Sequence, residues 1–152
     1  MTALGKPDRS QRNALAALID CIPEFDGPDR MVALELVDAA LAGSPDYELL
    51  ADAQSRAYLC FGPTPMTRGT YDLYWIAVHP AARRAGLGAA LIGELERTLR
   101  QRGARLVRVE TASSGAYDAT RKFYPRMGYR EEARLRDFYK PGDDLVIYLR
   151  RL

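Results

Sequence analysis

Two cysteines and a single histidine in 152 residues exclude several chemistries at once. With only His79, a Ser-His-Asp triad or a Cys/His zinc site has no clustered partners, so no metal is expected. His79 sits just before Pro80 at a strand end and reads as a surface residue. Cys21 and Cys60 are isolated, which suits a reduced compartment better than a disulfide framework, and both read as buried structural thiols. No apolar run approaches the ~20 residues of a membrane span, and Met1 to Arg9 lacks the apolar core of a secretion signal. The expectation is a cytoplasmic protein with no membrane partner. A charge excess is also missing. The 22 Lys and Arg stand against 20 Asp and Glu, and a net +2 is too small to imply nucleic acid. A nucleic-acid reading through Arg121, Lys122 and Arg126 is therefore disfavoured. Arg97, Arg100, Arg102, Arg105 and Arg108 have acidic neighbours and read as a solvated face.

What is present is an ordinary globular composition, 47% hydrophobic and 28% charged. The length fits one domain, residues 1–152, with no repeats or linker. Leu15, Leu18, Ile19 and Ile22 have helical spacing, and Pro23 stops that helix. Pro28 begins a second, with Ala33, Leu34, Val37 and Leu41 on one stripe, ended by Gly43-Ser44-Pro45. Strands follow at Tyr47 to Ala51 and Arg56 to Phe61, with a turn at Asp52 to Ser55 and a loop from Gly62 to Gly69. Thr70 to Val78 is a strand. Leu87, Leu91, Leu95 and Leu99 mark a helix that Gly103 ends, and Leu106 to Thr111 is a strand. Ala119, Phe123 and Met127 mark a short helix stopped by Gly128. Tyr129 to Leu135 and Leu145 to Leu152 form a final strand pair around the loop Arg136 to Asp144. This alternation makes an α/β (α+β) sheet covered on both faces.

The most informative stretch joins the strand ending at Val78 to the next helix: Val78-His79-Pro80-Ala81-Ala82-Arg83-Arg84-Ala85-Gly86-Leu87-Gly88-Ala89. A helix start offers unpaired N–H groups and about half a positive charge. Gly86 and Gly88 allow close approach of a phosphate to that backbone, and arginine neutralises it. A dinucleotide fingerprint is excluded by Leu91, and a P-loop by the missing Gly-Lys-Ser/Thr. A strand-to-helix turn with packing glycines explains the glycines alone; the strand, proline and arginines in register favour the anion cradle.

With this Arg-x-x-Gly-x-Gly-Ala run, the chain resembles the GNAT superfamily of acetyl-coenzyme A-dependent N-acetyltransferases along nearly its whole length. A second motif, Tyr117-Asp118-Ala119-Thr120-Arg121-Lys122-Phe123-Tyr124 followed by Gly128-Tyr129, is similar to that family's helix motif. The resemblance implies a mixed, mostly antiparallel twisted sheet with helices on both faces. That fold opens with a strand; Met1 to Pro7 is too short and apolar-poor to supply one convincingly, so its absence is one expectation. The family often forms dimers, so a homodimer is also expected.

The resemblance also implies roles. Arg83, Arg84, Ala85, Gly86, Leu87, Gly88 and Ala89 would hold the pyrophosphate of acetyl-CoA. Ile76, Ala77 and Val78 would pair with the pantetheine arm, with the Ile76 N–H polarising the thioester carbonyl. Tyr117, Thr120 and Phe123 would contact the coenzyme, although Tyr117 and Thr120 replace the usual Asn and Ala. Tyr124 would protonate the departing thiolate. Pro125 removes a helical N–H and disfavours helical dihedrals at Tyr124, so a kink displacing Tyr124 is expected.

The resemblance implies a small-molecule or peptide amine as acceptor, attacking the thioester directly in a ternary complex, with Cys60 given no role. A lysine-like amine needs about 4.6 kcal/mol to lose its proton at pH 7, an α-amine about 1.4, so the first calls for a base. Strand alternation places Asp72, Tyr74, Ile76 and Val78 on one face, and Asp72 is one candidate base. A polar strand end explains Asp72 equally well, and Glu110 reads more readily as an ion-pair partner. The loop Arg136 to Asp144 meets a cationic amine or is a packed turn, the turn being preferred. The alternative function is a non-catalytic acyl-CoA sensor of the same fold.

Overall fold

Hydrophobic spacing sets the layers. The computed structural model describes residues 3–152. Strands β1 (Leu4–Gly5), β2 (Glu48–Asp52), β3 (Ala57–Pro63), β4 (Thr70–Val78), β5 (Leu106–Ala112), β6 (Arg130–Lys140) and β7 (Asp143–Arg151) form one sheet in the order β1-β2-β3-β4-β5-β7-β6. Every neighbouring pair is antiparallel except β4 and β5. Helices α1 (Arg12–Asp20) and α2 (Gly27–Leu41) cover one face, α3 (Leu87–Gln101) and α4 (Asp118–Arg126) the other.

Each face buries its own core. The four-residue steps of Leu87, Leu91, Leu95 and Leu99 aim α3 at Leu59, Leu73, Val107 and Val109. Opposite, Leu15, Leu18, Ile19 and Val37 meet Leu49, Tyr58, Cys60 and Ala77. The turn between β2 and β3 is held by Asp52, fully buried, which accepts from the N–H groups of Arg56 (2.5 Å) and Ala57 (3.0 Å) and from Arg56 Nε (2.8 Å). Such satisfaction is what a buried carboxylate requires.

The opening strand exists after all, as two residues of β1 paired with Asp52 and Ala51. Backbone hydrogen bonding, rather than apolar side chains, suffices at a sheet edge. The segment Arg136 to Asp144 is not a loop: β6 runs to Lys140 and β7 starts at Asp143, leaving a tight turn with Gly142 at φ 81°. All of β6 is exposed, so no apolar alternation marked it in the sequence. Cys60 is buried, but Cys21 is exposed at the end of α1, a correction to the reading of both as buried.

One irregularity reorients β4. Cys60 pairs with Trp75 and Phe61 with Leu73, so Tyr74 is an extra, bulged residue. Strict alternation therefore fails. Asp72, Tyr74, Trp75 and Ala77 lie toward α1 and α2, whereas Ile76 and Val78 pack with the α3 core. Beside the bulge, a Cβ on Gly62 would lie 1.9 Å from the Asp46 carbonyl oxygen, so only glycine fits. Gly62→Ala is expected to cost about 1–3 kcal/mol in urea unfolding, because backbone must move; an unchanged midpoint would contradict the close approach.

Candidate active site

The parallel ladder between β4 and β5 stops at Leu73 with Val109. Beyond it, the β5-facing edge of Tyr74 to Val78 has no strand partner. His79 N–H donates to Arg56 carbonyl (2.8 Å), and antiparallel alternation then turns Ala77 toward β3 and the backbone groups of Ile76 and Val78 toward the open side. The Val78 carbonyl is reached there by Arg83 Nε (3.3 Å). The result is a wedge whose apex is flanked by Tyr74 on β4 and Glu110 on β5.

At the end of β4 the chain makes a short 3-10 turn, Pro80–Ala82, with the His79 imidazole Nδ1 accepting from Ala81 N–H (3.1 Å). It then enters α3 through two left-handed residues, Arg84 (φ 68°) and Gly86 (φ 80°). Arg83, Arg84, Ala85, Gly86 and Ala89 are exposed, and Leu87 is buried beneath them. Successive backbone N–H groups at a helix start with alternating handedness form an anion nest. A Cβ on Gly86 meets nothing, while one on Gly88 would touch the Phe123 ring at 3.4 Å and Ile76 at 3.9 Å. Gly88 thus lets α4 approach α3. The Arg83 guanidinium is held by Glu24, both contacts at 3.0 Å, which ties the segment between α1 and α2 to the nest. The unpaired cation of the run is then Arg84.

Behind the wedge stands α4, which runs on as helix through Pro125 to Arg126. Pro125 lies in the last turn, so only the Arg121 carbonyl loses its helical donor. The Tyr148 hydroxyl donates to that carbonyl at 3.5 Å. The Arg121 guanidinium donates to the carbonyls of Ala112 and Ser114, both at 2.8 Å, and is thereby spent on anchoring α4 to the end of β5. Sequence reasoning missed this clamp, having weighed Arg121 only as a nucleic-acid contact. Tyr124 is 2% exposed, its ring 5.4 to 5.7 Å from those of Phe123, Tyr129 and Tyr148. Burial, with no hydrogen bond to offset it, raises its pKa. Thr120 is half-buried on α4, and Tyr117 donates its hydroxyl to the Glu24 carbonyl (3.2 Å).

On the α1–α2 side of the wedge is a cavity of about 220 Å³ lined by Asp72, Leu73, Tyr74, Arg108, Glu110 and Tyr139. Arg108 Nε donates to Asp72 at 2.7 Å, and its Nη1 lies 3.8 Å from Glu110. Burial, then the Asp72 charge, pushes Tyr74 up to about 12. Tyr74 and Tyr139 were given no role in advance: alternation put the first on the face of Asp72 without assigning it to the site, and the second fell in a segment read as a turn. Among the described residues no cluster forms a metal site, and no helix is long and apolar enough to cross a membrane.

An open strand edge beside a helix-start nest, with a buried phenol on one face and a carboxylate on the other, equips a protein for transfer from an acyl-CoA. The sequence pattern of the acetyltransferase (GNAT) domain matches residues 47–131. A GNAT-family structure from Desulfovibrio desulfuricans is 36% identical over 99% of both chains, with a TM-score of 0.94. The ribosomal-protein-S18-alanine N-acetyltransferase of Escherichia coli is 20% identical over 99% of this chain and 94% of its own, at TM-score 0.79. The yncA protein of Salmonella typhimurium, solved with acetyl-CoA, is 20% identical over 99% and 94%, at 0.74. Among curated proteins none matches the chain. The chain belongs to the GNAT family and is an acetyltransferase that uses acetyl-CoA.

The contact between Tyr148 and Arg121 generates a test. Tyr148→Phe should lower stability by about 1 kcal/mol, and by less in a Pro125→Ala background, where a backbone N–H returns to the Arg121 carbonyl. Equal costs by urea unfolding in both backgrounds would show that the hydroxyl does not replace the missing donor.

Proposed function

We propose that the protein is an N-acetyltransferase that moves the acetyl group directly from acetyl-CoA to a primary amine in a ternary complex. The observation that carries this reading is the wedge, with Glu110 and Tyr124 on opposite faces of the sheet. The Arg84–Ala89 backbone holds the pyrophosphate, with Arg84 as counter-charge. The free backbone groups of Ile76 and the N–H of Val78 pair with the pantetheine arm, and the Ile76 N–H receives the developing oxyanion.

The amine enters from the α1–α2 side. Asp72, the first candidate base, has its carboxylate occupied by Arg108, whereas Glu110 is half-open to the cavity, with its nearest cation at 3.8 Å. Glu110 therefore takes the proton that the amine loses, and Asp72 fixes Arg108. The nitrogen bonds to the thioester carbon, the C–S bond breaks, and the sulfur receives the Tyr124 proton from the other face. A phenol near 10 and a thiol near 8.5 make complete transfer uphill by about 2 kcal/mol, and burial of Tyr124 increases that cost, so hydrogen bonding to the thiolate carries much of the effect. The same raised pKa keeps Tyr124 protonated throughout pH 6–9. Cys60, pushed up to about 12 by burial, is no nucleophile.

Tyr124→Phe should lower kcat well over tenfold with little change in acetyl-CoA affinity, and an unchanged kcat would remove Tyr124 from the reaction. Glu110→Gln should lower kcat/KM for the amine well over tenfold, whereas Asp72→Asn lowers it far less; the reverse pattern would return the base to Asp72. Acetyl-CoA at a hundredfold over Kd should add about 2.7 kcal/mol, or roughly 5–10 °C in Tm. No thermal shift would overturn the assignment.

A further inference from the structure

We propose that Thr111 is a further catalytic residue, whose hydroxyl donates a hydrogen bond to the coenzyme sulfur as the C–S bond breaks. This rests on the transfer reading above and concerns the α4 side of the wedge. Thr111 stands on β5 two residues beyond Val109, the last β5 residue laddered to β4. It therefore belongs to the stretch of β5 that borders the gap. β5 pairs with β7 in unbroken register from Leu106 to Ala112, so its side chains alternate strictly. Arg108 and Glu110 line the cavity on the α1–α2 side. Val107 and Val109 lie in the core beneath α3 and α4, and Thr111 follows them on that face. Across from it on β7 is Val146, and the pair before is Val109 with Tyr148, whose ring stands 5.7 Å from that of Tyr124. Arg121 of α4 grips the carbonyl of the next residue, Ala112, at 2.8 Å. Thr111 thus sits in the layer between β5 and α4 that also holds Tyr124.

Thr111 is 5% exposed, and its hydroxyl oxygen is buried without a hydrogen-bond partner. A hydroxyl in that condition is destabilising, whereas valine has the same shape and no polar atom to satisfy. Arg30, Thr64 and Tyr129 also carry an orphaned buried atom, but of the four only Thr111 stands on a strand that borders the gap. A group that enters between β4 and β5 is what can meet this oxygen. The reaction brings one in, the sulfur on which negative charge develops. Tyr124 gives up its proton reluctantly, because burial raises its pKa. A second donor disperses the sulfur's charge while its own proton stays in place. No bond to Thr111 forms or breaks, and the proton that ends on sulfur is still that of Tyr124.

Thr111→Val and Thr111→Ser test this by thermal unfolding, by turnover, and by calorimetry with coenzyme A and desulfo-coenzyme A. The calorimetry is run at about pH 9, where a thiol of reference pKa near 8.5 is largely ionised. Without ligand, Thr111→Val should melt no lower than the wild type. It should bind desulfo-coenzyme A as the wild type does, yet lose about tenfold of the wild-type preference for coenzyme A, with a similar fall in kcat. Thr111→Ser, which keeps the hydroxyl, should retain most of both. Four results would overturn the inference: no wild-type preference for coenzyme A, a preference or kcat untouched by Thr111→Val, equal losses in the two variants, or a lower melting point with weakened desulfo-coenzyme A binding in Thr111→Val. Failure of the wild type to bind either coenzyme would instead strike the parent reading.

Discussion

The early end of one parallel ladder is the constraint on which the rest depends. Where β4 and β5 separate after Leu73 and Val109, a buried sheet presents unpaired backbone in its middle rather than at its rim. Unsatisfied groups in that position are costly, so a partner that completes the ladder gains from every one of them. The remaining architecture holds the separation open. β7 secures β5 over its whole length on the far side, and the Tyr74 bulge lets β4 stay paired with β3 while its side chains change faces.

The separation also divides labour between the faces. One face is formed by α4, which Gly88 admits close to α3 and which Arg121 fastens to β5. The cavity on the other face is lined by residues of β4, β5 and β6. The bridge between Glu24 and Arg83 crosses from one territory to the other. The same guanidinium that borders the start of α3 therefore also fixes the segment between α1 and α2.

Much of this was legible in the chain. Four-residue steps of leucine in α3, and the strand-proline-arginine-glycine order before it, gave the scaffold and the nest because both are local patterns. Tyr124 was singled out through its neighbours Phe123 and Gly128-Tyr129. What stayed hidden is non-local. A bulge leaves no trace in alternation until the partner strand is known, so Ile76 was put on the face of Asp72 and lies on the other. The pairing of Asp72 with Arg108 joins different strands and was equally invisible. An edge strand exposed on both faces has no period to read, which is why β6 was taken for a loop beyond Leu135.

Pro125 illustrates how a disruptive residue is accommodated. In the middle of α4 it would have broken the helix; in the last turn it orphans one carbonyl, and the Tyr148 hydroxyl meets it from β7. Inheritance at these two positions is consequently linked. A lineage that exchanges the proline releases selection on the phenolic oxygen, and one that loses the oxygen first carries a burden until the ring is replaced. Among close relatives the pair should drift together, although nearly the whole of α4's C-terminus, β6 and most of β7 separate them along the chain.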